Sequence, residues 1–372
     1  MTTLTPALSR QRERGYHCAV KLLWLALSAL VLAACGGPAA APVRSGAASA
    51  SAPAKASAST AAKTLGPVKI GYAAQSGNLL PVIAASDAGL YSKYGLQAEP
   101  ILISGSPNTI KALVANEVQF AIVGAAASVQ SALGGAEVEL VSTLAPGLAY
   151  RVYSLSQFNS LQDLKGKRMV QSIKGTDPDF AIQLLLKKNG MQYADLQYVN
   201  VQEGGDPGRL QAMQASKAES VILAPGSFNV AEQQFKLKLL VDVIKERIPY
   251  EAATVAVSRS YARSHPDEVL TFVRALTASV KYTKDNRQQA LTTYKRYTKN
   301  DDDTVANETY DYYAGSVYPK ELTVNEDGVQ TLLDLAAQSI PAAKDHKPAD
   351  FIDNSFVKKL SDEGFVKQLY GA

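Results

Sequence analysis

Three short apolar runs decide the fold: Val68-Lys-Ile-Gly-Tyr72, Ala98-Glu-Pro-Ile-Leu-Ile103 and Val118-Gln-Phe-Ala-Ile-Val123, the last followed by Gly124. Each is bounded by Gly, Ser or Pro, as strands are. The stretches between them are long enough for helical crossovers, so the order reads β-α-β-α-β with parallel strands. Ligands of open parallel sheets gather beyond the carboxyl ends of the strands. Those ends are Ala73–Asn78, Ser104–Pro107 and Gly124–Ser128, all small, polar and free of charge.

Outward from this block, the same alternation recurs. Strands are expected at Val138–Leu144, Arg168–Gln171, Leu196–Val201, Ser220–Leu223 and Glu251–Ser258. Helices are expected at Ala125–Leu133 and Asp179–Lys188, and around Leu210 and Met213. After Ser258 the pattern is helical, with His265-Pro266 opening a helix and later ones at Thr309–Tyr318, Val329–Ala337 and Asp353–Leu369. Ala145-Pro146-Gly147 breaks the first series. The economical arrangement is an α/β protein with two lobes: residues 65–148 and 255–372 form the first, and 149–254 the second. Two crossovers join them and a cleft lies between.

The chain has 372 residues, 47% hydrophobic and 19% charged, with a formal net charge of +4. Arg10, Arg12, Arg14 and Lys21 against Glu13 account for most of that charge. Nothing in the remainder argues for nucleic acid. Basic residues up to Lys21 precede the apolar run Leu22–Ala33, which is too short to span a bilayer and fits a signal-peptide core. It ends in Leu32-Ala33-Ala34-Cys35-Gly36, which resembles a lipoprotein cleavage box. Residues 1–34 read as the signal peptide, with Cys35 as the lipidated first residue of the mature chain. Cys18 falls in the removed part, which excludes a disulfide framework and a multi-cysteine metal site. Residues 35–64 are Ala, Ser, Pro and Gly, a composition that cannot bury enough apolar surface to order itself, and read as a flexible tether.

Five stretches carry a resemblance across the chain: Pro81-Val-Ile-Ala with Gly89-Leu-Tyr-Ser-Lys-Tyr-Gly95-Leu96, Asp163-Leu-Lys-Gly-Lys167, Leu186-Lys-Lys-Asn-Gly190, Val257-Ser-Arg-Ser-Tyr261 with His265-Pro-Asp-Glu268, and Phe351-Ile-Asp-Asn-Ser-Phe356-Val357. In this order they resemble the substrate-binding lipoproteins of bacterial ABC importers, in the nitrate, sulfonate and taurine group related to thiamine-precursor proteins. The resemblance implies a type II periplasmic-binding fold that closes on a small solute and delivers it to a membrane permease. It further implies an extracytoplasmic, lipid-anchored monomer that uses no cofactor.

Helix starts present unpaired N–H groups and a partial positive charge, suited to a sulfonate, nitrate or carboxylate. By position the donors are Ser76, Gly77 and Asn78, then Ser104, Gly105 and Ser106, then Ala126 and Ser128. The opposing lobe offers Ser172, Gly175, Thr176 and Ser227. Singly, each also serves as a cap or turn, and the functional expectation rests on their convergence. Arg151, Lys174, Glu203, Asp206 and Glu251 are charges placed near the mouth, and an acid entering it favours an amine-bearing solute. Tyr72, Tyr150, Tyr153, Phe228 and Tyr250 can stack on a ring.

An enzyme is not expected. Beyond the signal peptide only His265 and His346 are histidines, neither in a mouth loop, and no catalytic triad or phosphate loop is present. The other readings are a thiamine-precursor protein or related enzyme, and a sensory lipoprotein using the same cleft.

Overall fold

The computed structural model describes residues 65–202 and 204–371. Residues 1–64, where the signal peptide, Cys35 and the tether are expected, and Glu203 lie outside them. Strands β1 to β10 are Pro67–Tyr72, Gln97–Leu102, Phe120–Val123, Val138–Pro146, Arg151–Ser154, Arg168–Gln171, Gln197–Asn200, Ser220–Leu223, Lys238–Asp242 and Glu251–Ser258. They form two five-stranded sheets, ordered β2-β1-β3-β10-β4 and β7-β6-β8-β5-β9.

The two sheets share one plan. In the first, β1 pairs parallel with β2 and β3, while β10 runs antiparallel between β3 and β4. In the second, β6 pairs parallel with β7 and β8, while β5 runs antiparallel between β8 and β9. The antiparallel strand of each sheet is the one that the chain enters on crossing from the other. The passages, between Pro146 and Arg151 and between Asp242 and Glu251, are tied together: Gly147 N–H donates to the Tyr250 carbonyl at 2.6 Å and Val243 N–H to that of Tyr150 at 2.9 Å.

Central strands are covered on both faces, which selects continuous apolar runs. Every residue of β3 and β8 is buried, as are all of β10 but Ser258. Over the first sheet the long helix Pro266–Asp285 sets Phe272 on Phe120, ring centroids 4.0 Å apart. The edge strand β4 is capped by the carboxyl-terminal segment: Leu140 N–H donates to the Phe351 carbonyl and Asp353 N–H to that of Leu140, both at 2.8 Å. That covers an edge otherwise open to aggregation.

Local signals account for most boundaries, and their failures are instructive. The helix expected over 353–369 breaks at Gly364, whose φ of 72° is left-handed, into Ser355–Asp362 and Phe365–Tyr370. The helix expected from Thr309 begins at Asp303, because Asp302 caps it by accepting from the N–H groups of Thr304 and Val305. Strands β5 and β9 were not expected. They are short, and their pairing partners are distant in sequence.

Candidate functional site

A cavity of about 460 Å³ opens at the carboxyl ends of β1, β3 and β8 and is lined from both lobes. From the first come Ala73, Ala74, Ser76, Asn78, Leu79, Ser106, Pro107, Val123, Gly124, Ala126, Ala127, Gln130 and Ala252, with Tyr313 from the helical section. Gly175, Thr176, Asp177, Phe180 and Ala224 come from the second, and Tyr150 from a crossing segment. The cleft therefore brings together Ser76, Asn78, Ser106, Ala126, Gly175 and Thr176 of the expected donors.

The others lie elsewhere, each for a visible reason. Gly77 is buried beneath the loop, and a Cβ on it would lie 2.5 Å from Thr309 and 2.6 Å from the Tyr313 ring. Ser104 and Gly105 form the back of their turn: Asn108 donates to the Ser104 carbonyl, and Gly105 N–H donates to the Ala73 carbonyl at 2.9 Å. Ser128 is buried inside the helix Ala125–Leu133, and Ser172 does not reach the lining. Ser227 precedes the helix Phe228–Gln233, whose start is already occupied by protein: the Glu308 carboxylate accepts from the N–H groups of Gly226, Phe228 and Asn229 at 2.6, 2.8 and 2.6 Å.

The capping assignments shift as well. Asn78 sits in a short 3-10 turn, Gly77–Leu79, that precedes the helix Leu80–Asp87. Ser106 opens the helix Ser106–Val114 but leaves its start to Gly105; its Oγ accepts instead from Gly124 N–H at 3.2 Å, joining two mouth loops. The loop Ala73–Asn78 is held by tyrosines of the helical section. Tyr297 accepts from Ser76 N–H at 2.9 Å and donates to the Ala74 carbonyl at 2.7 Å, and Tyr318 donates to the Gly77 carbonyl.

Among the expected charges, Arg151 pairs with Asp242 at 3.2 Å and lies over the Phe228 ring at 4.3 Å, outside the cleft. Asp206 is spent on Arg209 and on the N–H of Ala224. Glu251 is fully buried, accepting from Thr143 and from Asn325 N–H at 2.8 Å, and burial pushes its carboxyl up to about 7. Lys174 lines a second cavity of about 260 Å³ that shares Ala126, Gln130, Gly175 and Phe180 with the first.

Sequence reasoning passed over Asp177, the only charged side chain among the described residues lining the main cavity. Its Oδ1 accepts the Tyr250 hydroxyl at 2.6 Å. Burial pushes its carboxyl up to about 6, and the Tyr250 hydrogen bond opposes that rise. Of the five expected aromatics only Tyr150 lines the cavity; Tyr250 acts through Asp177, while Tyr72, Tyr153 and Phe228 are packed on Tyr297, Glu232 and Arg151. Phe180 and Tyr313 are the other two rings that line it. His265 stacks on Tyr261 and His346 meets Asp350 at 3.3 Å, both on the surface.

Two five-stranded α/β lobes of one plan, each with its antiparallel strand entered on crossing from the other, and a cleft lined from both, define the periplasmic-binding-protein fold. The Escherichia coli periplasmic aliphatic sulphonate binding protein SsuA superposes on it with a TM-score of 0.61 at 16% identity, over 75% of this chain and 87% of that one. The model of the NMT1/THI5-like family matches residues 76–290, and the chain belongs to that family. A Brucella abortus protein named as a binding protein is 32% identical over 151 residues, 41% of this chain and 45% of that protein. The match thus spans less than half the length of that relative. A Bacillus subtilis protein named for binding aliphatic sulfonates is 21% identical over 295 residues, 77% of this chain and 86% of that one.

Proposed function

We propose that the chain is the solute-binding component of an ABC importer, lipid-anchored through Cys35 on the extracytoplasmic face and working as a monomer. It captures a small organic solute bearing an acidic group such as a sulfonate or carboxylate, and presents the closed form to a membrane permease. The observation that carries this reading is the cavity of about 460 Å³ lined from both sheets. The helices Ser106–Val114 and Ala125–Leu133 start at its rim, where backbone N–H groups favour anionic oxygens. Lobe closure around a solute removes it from water and strengthens those bonds.

Two measurements test it. A thermal-shift screen of the body from Leu65 onward against sulfonates, carboxylates and nitrate gives a stabilisation of about 2.7 kcal/mol for a solute at a hundred times its Kd. Radiolabelled palmitate marks the full-length chain in a bacterial host, and Cys35→Ser abolishes both the label and membrane retention. A labelled Cys35→Ser variant overturns the anchor alone, and a silent screen with folded protein overturns the receptor.

A further inference from the structure

Four successive residues of one mouth loop, Ala74 to Gly77, are each bound by a tyrosine of the helical section. The Tyr297 hydroxyl accepts from Ser76 N–H at 2.9 Å and donates to the Ala74 carbonyl at 2.7 Å. The Tyr297 carbonyl accepts from the Gln75 side-chain amide, and the Gly77 carbonyl accepts from the Tyr318 hydroxyl. Tyr297 is itself buried, near the end of the helix Arg287–Thr298, with its ring centroid 5.8 Å from that of Tyr72. It does not line the cavity, whereas Ser76 and Asn78 do. The Ser76 hydroxyl donates to Asn78 Oδ1, which leaves Asn78 Nδ2 without a partner among the described residues. The hydroxyls nearby are committed elsewhere: Ser106 accepts from Gly124 N–H, and Thr176 donates to the Ile173 carbonyl.

We propose that Tyr297 is a positioning residue for solute binding: through Ser76 it holds the Asn78 amide with its N–H groups toward the cavity, where they meet an acceptor oxygen of the solute. This deepens the receptor reading above and rests on it. Ordering a loop and a side chain at the moment of binding costs conformational entropy, and a loop already fixed spares the solute that cost. The relay has two steps. Tyr297 fixes the backbone of Ala74 and Ser76, and the Ser76 hydroxyl then takes one end of the Asn78 amide and leaves the other to the solute. Removing the Tyr297 hydroxyl strips Ser76 N–H of its acceptor and the Ala74 carbonyl of its donor, so the loop gains freedom at the place where Asn78 is aimed. A site held to within a fraction of an ångström needs this second layer of support, and here it comes from more than two hundred residues further along the chain.

The test compares Tyr297→Phe, Asn78→Ala, their double variant and Tyr310→Phe, all in the chain from Cys35 onward with Cys35→Ser. Tyr310 is the control: its hydroxyl donates to the Lys284 carbonyl at 2.9 Å in the same helical section and does not touch the loop. Ethanesulfonate, benzoate and nitrate are titrated calorimetrically into each. For a probe that wild type binds, Tyr297→Phe and Asn78→Ala are each expected to weaken affinity about tenfold. The double variant is expected to bind no more weakly than Asn78→Ala alone, because Tyr297 acts through that amide. Tyr310→Phe binds as wild type does, although it also lowers Tm. Ser76→Ala, which cuts the relay at its second step, repeats the loss and serves where Tyr297→Phe does not fold. Nitrogen relaxation of the unliganded chain is expected to show the Asn78 side-chain amide rigid in wild type and mobile in Tyr297→Phe and Ser76→Ala. Additive losses in the double variant, wild-type affinity in both Tyr297→Phe and Ser76→Ala, or an Asn78 amide already mobile in wild type overturns the assignment and leaves the receptor standing. Silence from every probe in folded wild-type protein overturns both.

Discussion

The carboxylate of Glu308 accepts the backbone N–H of Phe228 at 2.8 Å, joining two segments eighty residues apart in sequence. Glu308 lies on the helix Asp303–Tyr312 of the carboxyl-terminal section, and Phe228 opens a helix of the second lobe. The N–H groups of Gly226 and Asn229 share the carboxylate. One turn further on, the Tyr312 hydroxyl donates to Asp242 at 2.6 Å, and Asp242 in turn pairs with Arg151. A helix start that elsewhere would take an anionic ligand is thus filled by the protein's own acid, and the contact works as a latch across one side of the cleft.

Removing that acid leaves three donors without an acceptor. Glu308→Ala is expected to lower unfolding stability by roughly 1.5–3 kcal/mol, the scale of a hydrogen bond to a charged group. It is also expected to enlarge the radius of gyration of the unliganded body in small-angle scattering, as the lobes part. Glu308→Gln, which keeps one acceptor oxygen, falls between the two. If scattering and Tm of the Ala variant match wild type, the contact holds nothing.

The parallel strands and the small-residue helix Ala125–Leu133 were legible because their punctuation is local: Gly124 before, Gly134 after. Strands β6 and β8 were legible as apolar runs within turn signals. The latch and Asp177 were not. In sequence, Thr176-Asp177-Pro178 is an ordinary acidic helix opening, favoured by the helix dipole alone. Only Tyr250, seventy-three residues on, reveals the carboxylate as part of a cleft. Ser76 and Ser106 line the cavity beyond strand ends that local punctuation marks, while the acid that fills the helix start behind Ser227 comes from a distant helix that no local signal announces.

Gly77 gives a steric prediction. The helical section approaches it so closely that a methyl group would overlap Thr309 and the Tyr313 ring. Gly77→Ala is expected to cost about 1–3 kcal/mol in urea unfolding, as overpacking does. It should also weaken solute binding, since Ser76 and Asn78 on either side line the cavity. Gly315→Ala is the control: a Cβ there meets nothing within 4 Å, and its stability should stay within about 0.5 kcal/mol of wild type. Equal behaviour of the two variants would contradict the packing argument.

Glu251 sets a pH dependence whose sign follows from its burial. In the unfolded chain a glutamate releases its proton near pH ~4.3, whereas burial in the folded protein holds Glu251 up to about 7. Between these values the folded state binds more protons than the unfolded one, so stability falls as pH rises from about 4.3 to 7 and levels off above. A displacement of that size corresponds to roughly 4 kcal/mol at about 1.4 kcal/mol per unit. Asp177, raised to about 6, adds a smaller fall over the lower part of the same window. Glu251→Gln removes the larger contribution while keeping an oxygen for Asn325 N–H, which opens the helix Glu326–Ala336. Urea unfolding at pH 5 and pH 8 should therefore show wild type losing stability toward pH 8, and the Gln variant losing far less. A wild-type stability that rises across this window would mean that Glu251 is ionised as readily in the folded protein as in the unfolded chain, and that its contacts with Thr143 and Asn325 outweigh its burial.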